Sequence, residues 1–254
     1  MQISERRERA GPRTTKRHLG LSLLGGFRLE DAGSSVLLPD GSQRLLAFLA
    51  LRGRVIQRQT VAGTLWPEAN EGHASASLRS ALARLPGEAR GSLTATARTL
   101  RLSDEVSVDL WDARELARDL LKPSDSPSSL RPGREAISSL SEELLPDWYD
   151  EWALVEGEDW RQLRLHALEA LADKLRADGA YAPAAAAALA AIRAEPLRES
   201  PRAALMRVHI AEGNPTEALR EFSRYENLLN LELGIKPTER LRALVTDLWA
   251  VTRA

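Results

Sequence analysis

Arg79 and Arg84 lie in a stretch that otherwise offers mostly Ser and Ala: His73-Ala-Ser-Ala-Ser-Leu-Arg-Ser-Ala-Leu-Ala-Arg-Leu85. A guanidinium presents a planar fork of N–H donors matched to phosphate oxygens and to the acceptor edge of guanine, and Ser hydroxyls bond either target. The chemistry on offer is therefore recognition of an anionic, hydrogen-bonding surface. Wound at about 100° per residue, the stretch puts Leu78, Leu82 and Leu85 on one apolar stripe. The opposite face carries His73, Ala76, Ser80 and Ala83, flanked by Ser77, Arg79 and Arg84, with no acidic residue. Small side chains at the centre and arginines at the edges suit a helix that enters a major groove. The same composition also fits an ordinary solvated helix face, so the surrounding elements must decide.

Two shorter helices precede this one. Arg44-Leu-Leu-Ala-Phe-Leu-Ala-Leu51 is apolar and compact, and Gln59-Thr-Val-Ala-Gly-Thr-Leu65 ends at Trp66-Pro67, where the proline disfavours a helical Trp66. Pro86-Gly87 stops the third helix. Ahead of them, the runs over 19–29 and 35–38, separated by Glu30-Asp-Ala-Gly33, read as antiparallel strands. Behind them, Ser92–Thr96 and Thr99–Leu102 form a small hairpin with Ala97-Arg98 at its tip. Strands, three helices and a hairpin are the order of a winged helix-turn-helix, with the hairpin as a wing placed to touch phosphates or the minor groove. Arg98 is its contact residue.

The formal net charge of -1 hides an asymmetry. Residues 1–105 hold 16 Lys and Arg against 10 Asp and Glu, which leaves 19 against 26 in 106–254 from the totals of 35 and 36. A basic front half and an acidic back half fit a nucleic-acid module joined to a protein-facing one. Arg6, Arg7, Arg9, Arg13, Lys16 and Arg17 concentrate the positive charge in residues 1–18, which read as a disordered basic arm, either merely solvated or adding phosphate contacts. The rest of the front half is nearly neutral. Without Cys the chain has no disulfide, thiol nucleophile or Cys-based zinc site, and a reducing cytoplasm is its expected setting. No apolar run is long enough to span a membrane, and the charged N-terminus lacks a signal-peptide core.

Domain boundaries are expected at 1–18 for the arm, 19–105 for the winged helix and 106–254 for a helical domain. Val106-Ser-Val-Asp109 opens a helix over Leu110–Leu121, followed by a low-complexity loop from Lys122 to Ser129. From Gly133 onward the pattern is helical and contains a repeat. Gly179 and Gly213, 34 residues apart, each follow an apolar helix and precede an Ala-rich one, and the same shift carries Leu171 onto Leu205 and Ala184 onto Ala218. This is the tetratricopeptide period, although simple bundle packing needs no particular period. Trp148, Tyr149, Trp152 and Trp160 interleave with Asp147, Asp150, Glu151, Glu156, Glu158 and Asp159. Trp148 and Trp152, at i and i+4, share a face that serves either core packing against the winged helix or a docking surface.

Catalysis finds no footing in these residues. His18, His73, His166 and His209 are scattered without metal spacing, and no nucleophile elbow, dinucleotide loop or phosphate-binding loop is present. His209 takes the repeat position of Leu175, as a packed or half-exposed helix residue. No enzyme activity, cofactor or metal is expected.

Several short motifs now stand in a telling order: Leu24-Gly-Gly-Phe27, Arg44-Leu-Leu-Ala-Phe-Leu49, Leu65-Trp-Pro67, Ser77-Leu-Arg79, Leu100-Arg-Leu102 with Val108-Asp109, and Leu145-Pro-Asp-Trp-Tyr-Asp-Glu-Trp152. Arg161-Gln-Leu-Arg164, Ala203-Ala-Leu-Met-Arg207 and Glu232-Leu-Gly-Ile-Lys-Pro237 follow. In this order and spacing, residues 19–104 resemble the DNA-binding domain of the Streptomyces antibiotic regulatory protein family, and residues 109–248 resemble its bacterial transcriptional activator domain. Two departures stand out. Pro86-Gly87 falls where the family continues its recognition helix, and Arg98-Thr99 replaces the common Gly-Tyr of the last wing strand. The resemblance implies a mainly α fold with small sheets, a winged helix-turn-helix followed by tetratricopeptide-like helices. It also implies an activator that binds promoter direct repeats in double-stranded DNA as side-by-side copies and recruits RNA polymerase. Lacking a phosphate-binding loop and a receiver domain, the chain resembles the short form, with no phosphorylation switch. The alternative is a helical-repeat adaptor whose winged helix binds protein; such a surface would expose apolar side chains on the third helix.

Overall fold

The computed structural model describes residues 19–122 and 133–251. The expected arm and nearly all of the expected low-complexity loop lie outside the described residues.

The first strands are β1 (Leu19–Ser22), β2 (Arg28–Asp31) and β3 (Ser34–Ser35). Ala32 and Gly33 turn the chain between β2 and β3 with φ of 50° and 83°, the left-handed pair that matches the twist of a tight hairpin. Glu30 and Asp31, expected in the turn, therefore end β2. The expected strand over 35–38 shrinks to its first residue. Val36 still donates its N–H to the Leu29 carbonyl at 2.8 Å, but Leu37 is 89% exposed and Pro39 opens the next helix.

That helix, α1 (Asp40–Arg52), starts four residues before the apolar run, with Asp40 in the first turn where the helix dipole favours an acid. It is buried without a break from Leu45 to Leu51, which explains why its sequence shows no single stripe. Then come β4 (Ile56–Gln57), α2 (Arg58–Leu65) and α3 (Glu71–Ala83). Trp66 leaves the helix at φ -132°, as Pro67 requires. The wing is β5 (Leu93–Ala95) and β6 (Thr99–Leu102), and it joins β4 in a three-stranded sheet of order β4-β6-β5.

β7 (Val106–Val108) corrects the sequence reading, which opens a helix there. It lies parallel to β1, with Leu19 opposite Val106 and Leu21 opposite Val108, and completes a sheet of order β3-β2-β1-β7. A parallel partner distant in sequence supplies backbone hydrogen bonds that no local pattern reveals. The expected boundary at 105/106 thus assigns β7, a strand of the first sheet, to the helical half.

The helical half comprises α4 (Asp109–Leu121), α5 (Arg134–Ser141), α6 (Glu151–Ala177), α7 (Tyr181–Ala194), α8 (Glu199–Glu212), α9 (Pro215–Leu233) and α10 (Glu239–Val251). In α4, Leu110, Ala113, Ala117 and Leu120 are buried as the stripe requires, while Leu121 is exposed. The 34-residue repeat is physical. Gly179 and Gly213 adopt φ of 74° and 86°, and after each the next amide reaches back across the turn. Ala180 N–H donates to the Leu175 carbonyl at 2.9 Å, and Asn214 N–H donates to the His209 carbonyl at 2.8 Å. This is the same helix-ending bond at the same place in each repeat, available because glycine enters the left-handed region without strain. Buried Ala184, Ala187, Ala188 and Ala191 let α7 approach its neighbours closely. His209 is half-buried.

One hydrophobic core runs through both halves, from Leu19 to Val208. Its seam is aromatic. Trp152 is buried and meets the Phe48 ring edge-on at 5.3 Å between centroids. Trp148 packs edge-on against Trp152 at 5.9 Å and stacks on Phe27 at 6.0 Å. Trp148 precedes α6, so the two tryptophans meet because the segment before the helix folds back, not through an i, i+4 relation. Of the two roles open to this segment, Trp152 takes core packing.

Candidate nucleic-acid interface

α3 is set by three local devices. The Asn70 side chain caps its N-terminus, accepting from the His73 N–H at 2.9 Å, so the helix begins two residues before the expected start. At the other end the buried Ser42 hydroxyl donates to the Ala81 carbonyl at 2.8 Å and ties α3 to α1. Between them, Ala74, Leu78, Ala81 and Leu85 are buried, and Leu82 is only partly buried. The expected stripe of three leucines is therefore rotated. Alanines at 74 and 81 form the contact face because α1 comes close: a Cβ on Gly41 would sit 3.8 Å from the Ala81 Cβ.

The rotation leaves the expected outer face outward. His73, Ala76, Arg79, Ser80, Ala83 and Arg84 are exposed. Ala76, Ser80 and Ala83 run along its middle, with Arg79 at one edge and Arg84 at the other. Ser77 departs from the expectation: it is half-buried and turns into a cleft of about 190 Å³ with Gly41, Trp66, Ser80 and Arg84. Among the described residues Arg79 and Arg84 have no carboxylate within ion-pair distance. Glu71, in the first turn, is engaged by Gln59, whose Nε2 donates to it at 2.9 Å.

The wing tip is equally well specified. Thr96 Oγ1 accepts from the Arg98 N–H at 3.2 Å and the Thr99 N–H at 2.9 Å, closing the turn. The Arg98 carbonyl accepts from the Arg58 N–H at 2.8 Å, so the tip is fastened to the start of α2. This leaves the Arg98 side chain exposed on a held backbone. Asn70, Ser42 and the Arg58–Arg98 link were missed in the sequence. Asn70 alone gave a signal, as a capping residue type just before a helical run.

The helical half is bonded to this unit at several points. Asp109, the first residue of α4, accepts from the Leu23 N–H at 2.9 Å and the Leu24 N–H at 3.2 Å. Burial pushes its carboxyl above the ordinary 3.8, against the lowering effect of those amides. Trp111 Nε1 donates to the Ala50 carbonyl at 2.9 Å, and Arg44 pairs with Asp150. Glu156 of α6 holds Arg114 at 2.8 Å and Arg52, at the end of α1, at 3.4 Å.

Residues 108–248 match the family model described as bacterial transcriptional activator domain. The chain belongs to that family. A solved structure of Mycobacterium tuberculosis EmbR, in complex with a low affinity phosphopeptide, is similar with a TM-score of 0.61 at 23% sequence identity. The match covers 90% of this chain and 64% of that one, so this chain spans less than two thirds of its length. No curated protein sequence matches the chain. The winged helix of the first half is thus followed by a bacterial transcriptional activator domain, and the likeness to EmbR is one of fold. Among the described residues no helix is long and apolar enough to cross a membrane, and no cluster of His, Asp or Glu is arranged to hold a metal ion.

Proposed function

We propose that the chain is a non-catalytic, sequence-specific activator of transcription that reads double-stranded DNA through α3. His73, Arg79, Ser80 and Arg84 face the major groove, with the Ala76, Ser80 and Ala83 strip admitting the helix to its floor and Ser77 set back in the cleft beside Trp66. Arg98 at the wing tip contacts backbone phosphate or the minor groove, and the arm over 1–18 adds charge that is indifferent to sequence. Copies bind side by side on direct repeats, and the acidic helical half faces RNA polymerase.

The observation that carries this reading is the pair of uncommitted arginines bordering a small-residue face without an exposed carboxylate. The adaptor alternative fits that face less well, because α3 bears no large exposed apolar side chain. The reading is tested by selection from a random DNA pool with the full chain, followed by sequencing. A recurring motif is expected, and an unenriched pool would overturn it.

A further inference from the structure

The segment from Glu143 to Trp148 and the first turns of α6 line an open cleft of about 250 Å³. Leu144, Pro146, Trp148, Leu154 and Trp160 make its walls apolar and aromatic, and Arg164 lines it as well. The Trp160 wall is fixed, since its Nε1 donates to the Glu142 carbonyl at 3.0 Å.

Arg164 is the unusual member. It is only 2% exposed, and its one hydrogen bond among the described residues runs from Nη1 to the Ser141 carbonyl at 2.7 Å. Nε is buried with no partner among the described residues. Nη2 lies 3.7 Å from Glu143, too far for a hydrogen bond, and that carboxylate is 65% exposed. A buried guanidinium answered by one neutral carbonyl and a water-facing acid is under-compensated. The neighbouring Arg161 is not in the same state, because Glu158 and Glu195 occupy it at 2.8 and 2.5 Å. The Glu158 acid at the rim is in turn held by Arg161 and Gln162, which lower its carboxyl to about 2.

Two backbone features point to the same place. Gly157 sits inside the long helix α6, where glycine weakens the helix relative to alanine. No crowding demands it: a Cβ there would meet only the Leu144 carbonyl oxygen, at an ordinary 3.9 Å. Its lack of a side chain leaves the cleft open. Leu145, on the opposite wall, holds φ at 44°, a region leucine rarely adopts.

We propose that this cleft binds a small organic anion, a carboxylate on an apolar or aromatic body, with the Arg164 guanidinium as its donor and Trp148 and Trp160 as walls. The incoming carboxylate displaces Glu143, which loses little because it is already solvated. The position suits an effector. The Gly25 N–H donates to the Glu143 carbonyl at 2.7 Å, and the Leu145 N–H to the Leu23 carbonyl at 3.0 Å, so the cleft loop is bonded directly to the winged helix.

The test titrates the full chain with benzoate, phenylacetate, indole-3-acetate and hexanoate, each beside its neutral amide, by calorimetry and tryptophan emission. At least one acid should saturate with a Kd of about 1 mM or tighter, and its amide should bind at least about tenfold more weakly. Arg164→Gln should lose that binding. Because this variant removes a buried group and can destabilise the chain, Gly157→Leu fills the cleft from the other wall. It should also lose binding while melting no lower than the parent. Absence of saturation by any acid up to about 10 mM, equal binding of acid and amide, or undiminished binding to Gly157→Leu would overturn the proposal.

Discussion

The arginines of α3 and three of those in the helical half are treated in opposite ways. Arg161, Arg198 and Arg202 are committed: to Glu158 and Glu195, to Glu169, and to the buried Glu221 respectively. Arg202 also lies over the Tyr225 ring at 5.3 Å. Arg79, Arg84 and Arg98 engage no carboxylate among the described residues and stand on backbone held by Asn70, Ser42 and Thr96. In these three helical-half residues the charge is paired within the fold; at Arg79, Arg84 and Arg98 the charge is free and the backbone beneath it is held. Free charges on a well-fixed face are what recognition of an anionic partner requires. Arg44 and Arg52 sit between these cases, since both belong to the winged helix and both pair with carboxylates of the helical half. The two halves are joined by charges as well as by the aromatic seam.

The largest expected effect comes from breaking that seam. Trp152→Ala removes a buried ring that packs on Phe48 and Trp148 and should cost about 3–5 kcal/mol of unfolding free energy, read by chemical denaturation. A loss below about 1 kcal/mol would mean that the halves do not depend on this packing. Ser42→Ala leaves the Ala81 carbonyl without its hydroxyl partner and should cost about 1–3 kcal/mol, because a buried acceptor is left unsatisfied. DNA affinity should fall in the same variant if the α1–α3 tie positions the reading face; unchanged stability and affinity would remove Ser42 from that role.

A smaller effect concerns pH. Burial raises the folded-state carboxyl of Asp109 above its unfolded value, so the folded chain holds that proton more tightly. Its contribution favours folding in acid and is lost as pH rises through the folded value. Measured against Asp109→Asn, which does not titrate there, the parent should lose relative stability as pH rises above about 4. A flat difference would show that the amides of Leu23 and Leu24 offset the burial.

What the sequence revealed is what short-range chemistry controls. Pro67 ends α2, Gly179 and Gly213 end their helices in the same way, and Arg98 stands at a hairpin tip. Distant partners were illegible. Val106–Val108 looks like a helix start until β1 is beside it. The buried face of α3 is set by how closely Gly41 lets α1 approach, so alanines replace Leu82 at the interface between the two helices. Of the site residues chosen from sequence, His73, Arg79, Ser80, Arg84 and Arg98 are exposed, whereas Ser77 is turned aside by the same rotation.

The central claim is that the free arginines of α3 read DNA. The most direct measurement compares the parent with Arg79→Ala/Arg84→Ala in a gel-shift titration on the DNA recovered by selection, with circular dichroism as a check on folding. The spectrum should be unchanged, and affinity should weaken by roughly 1–3 kcal/mol for each arginine that bonds a base edge, or by less if both reach only phosphate. A folded double variant that binds the selected DNA as tightly as the parent would contradict the account.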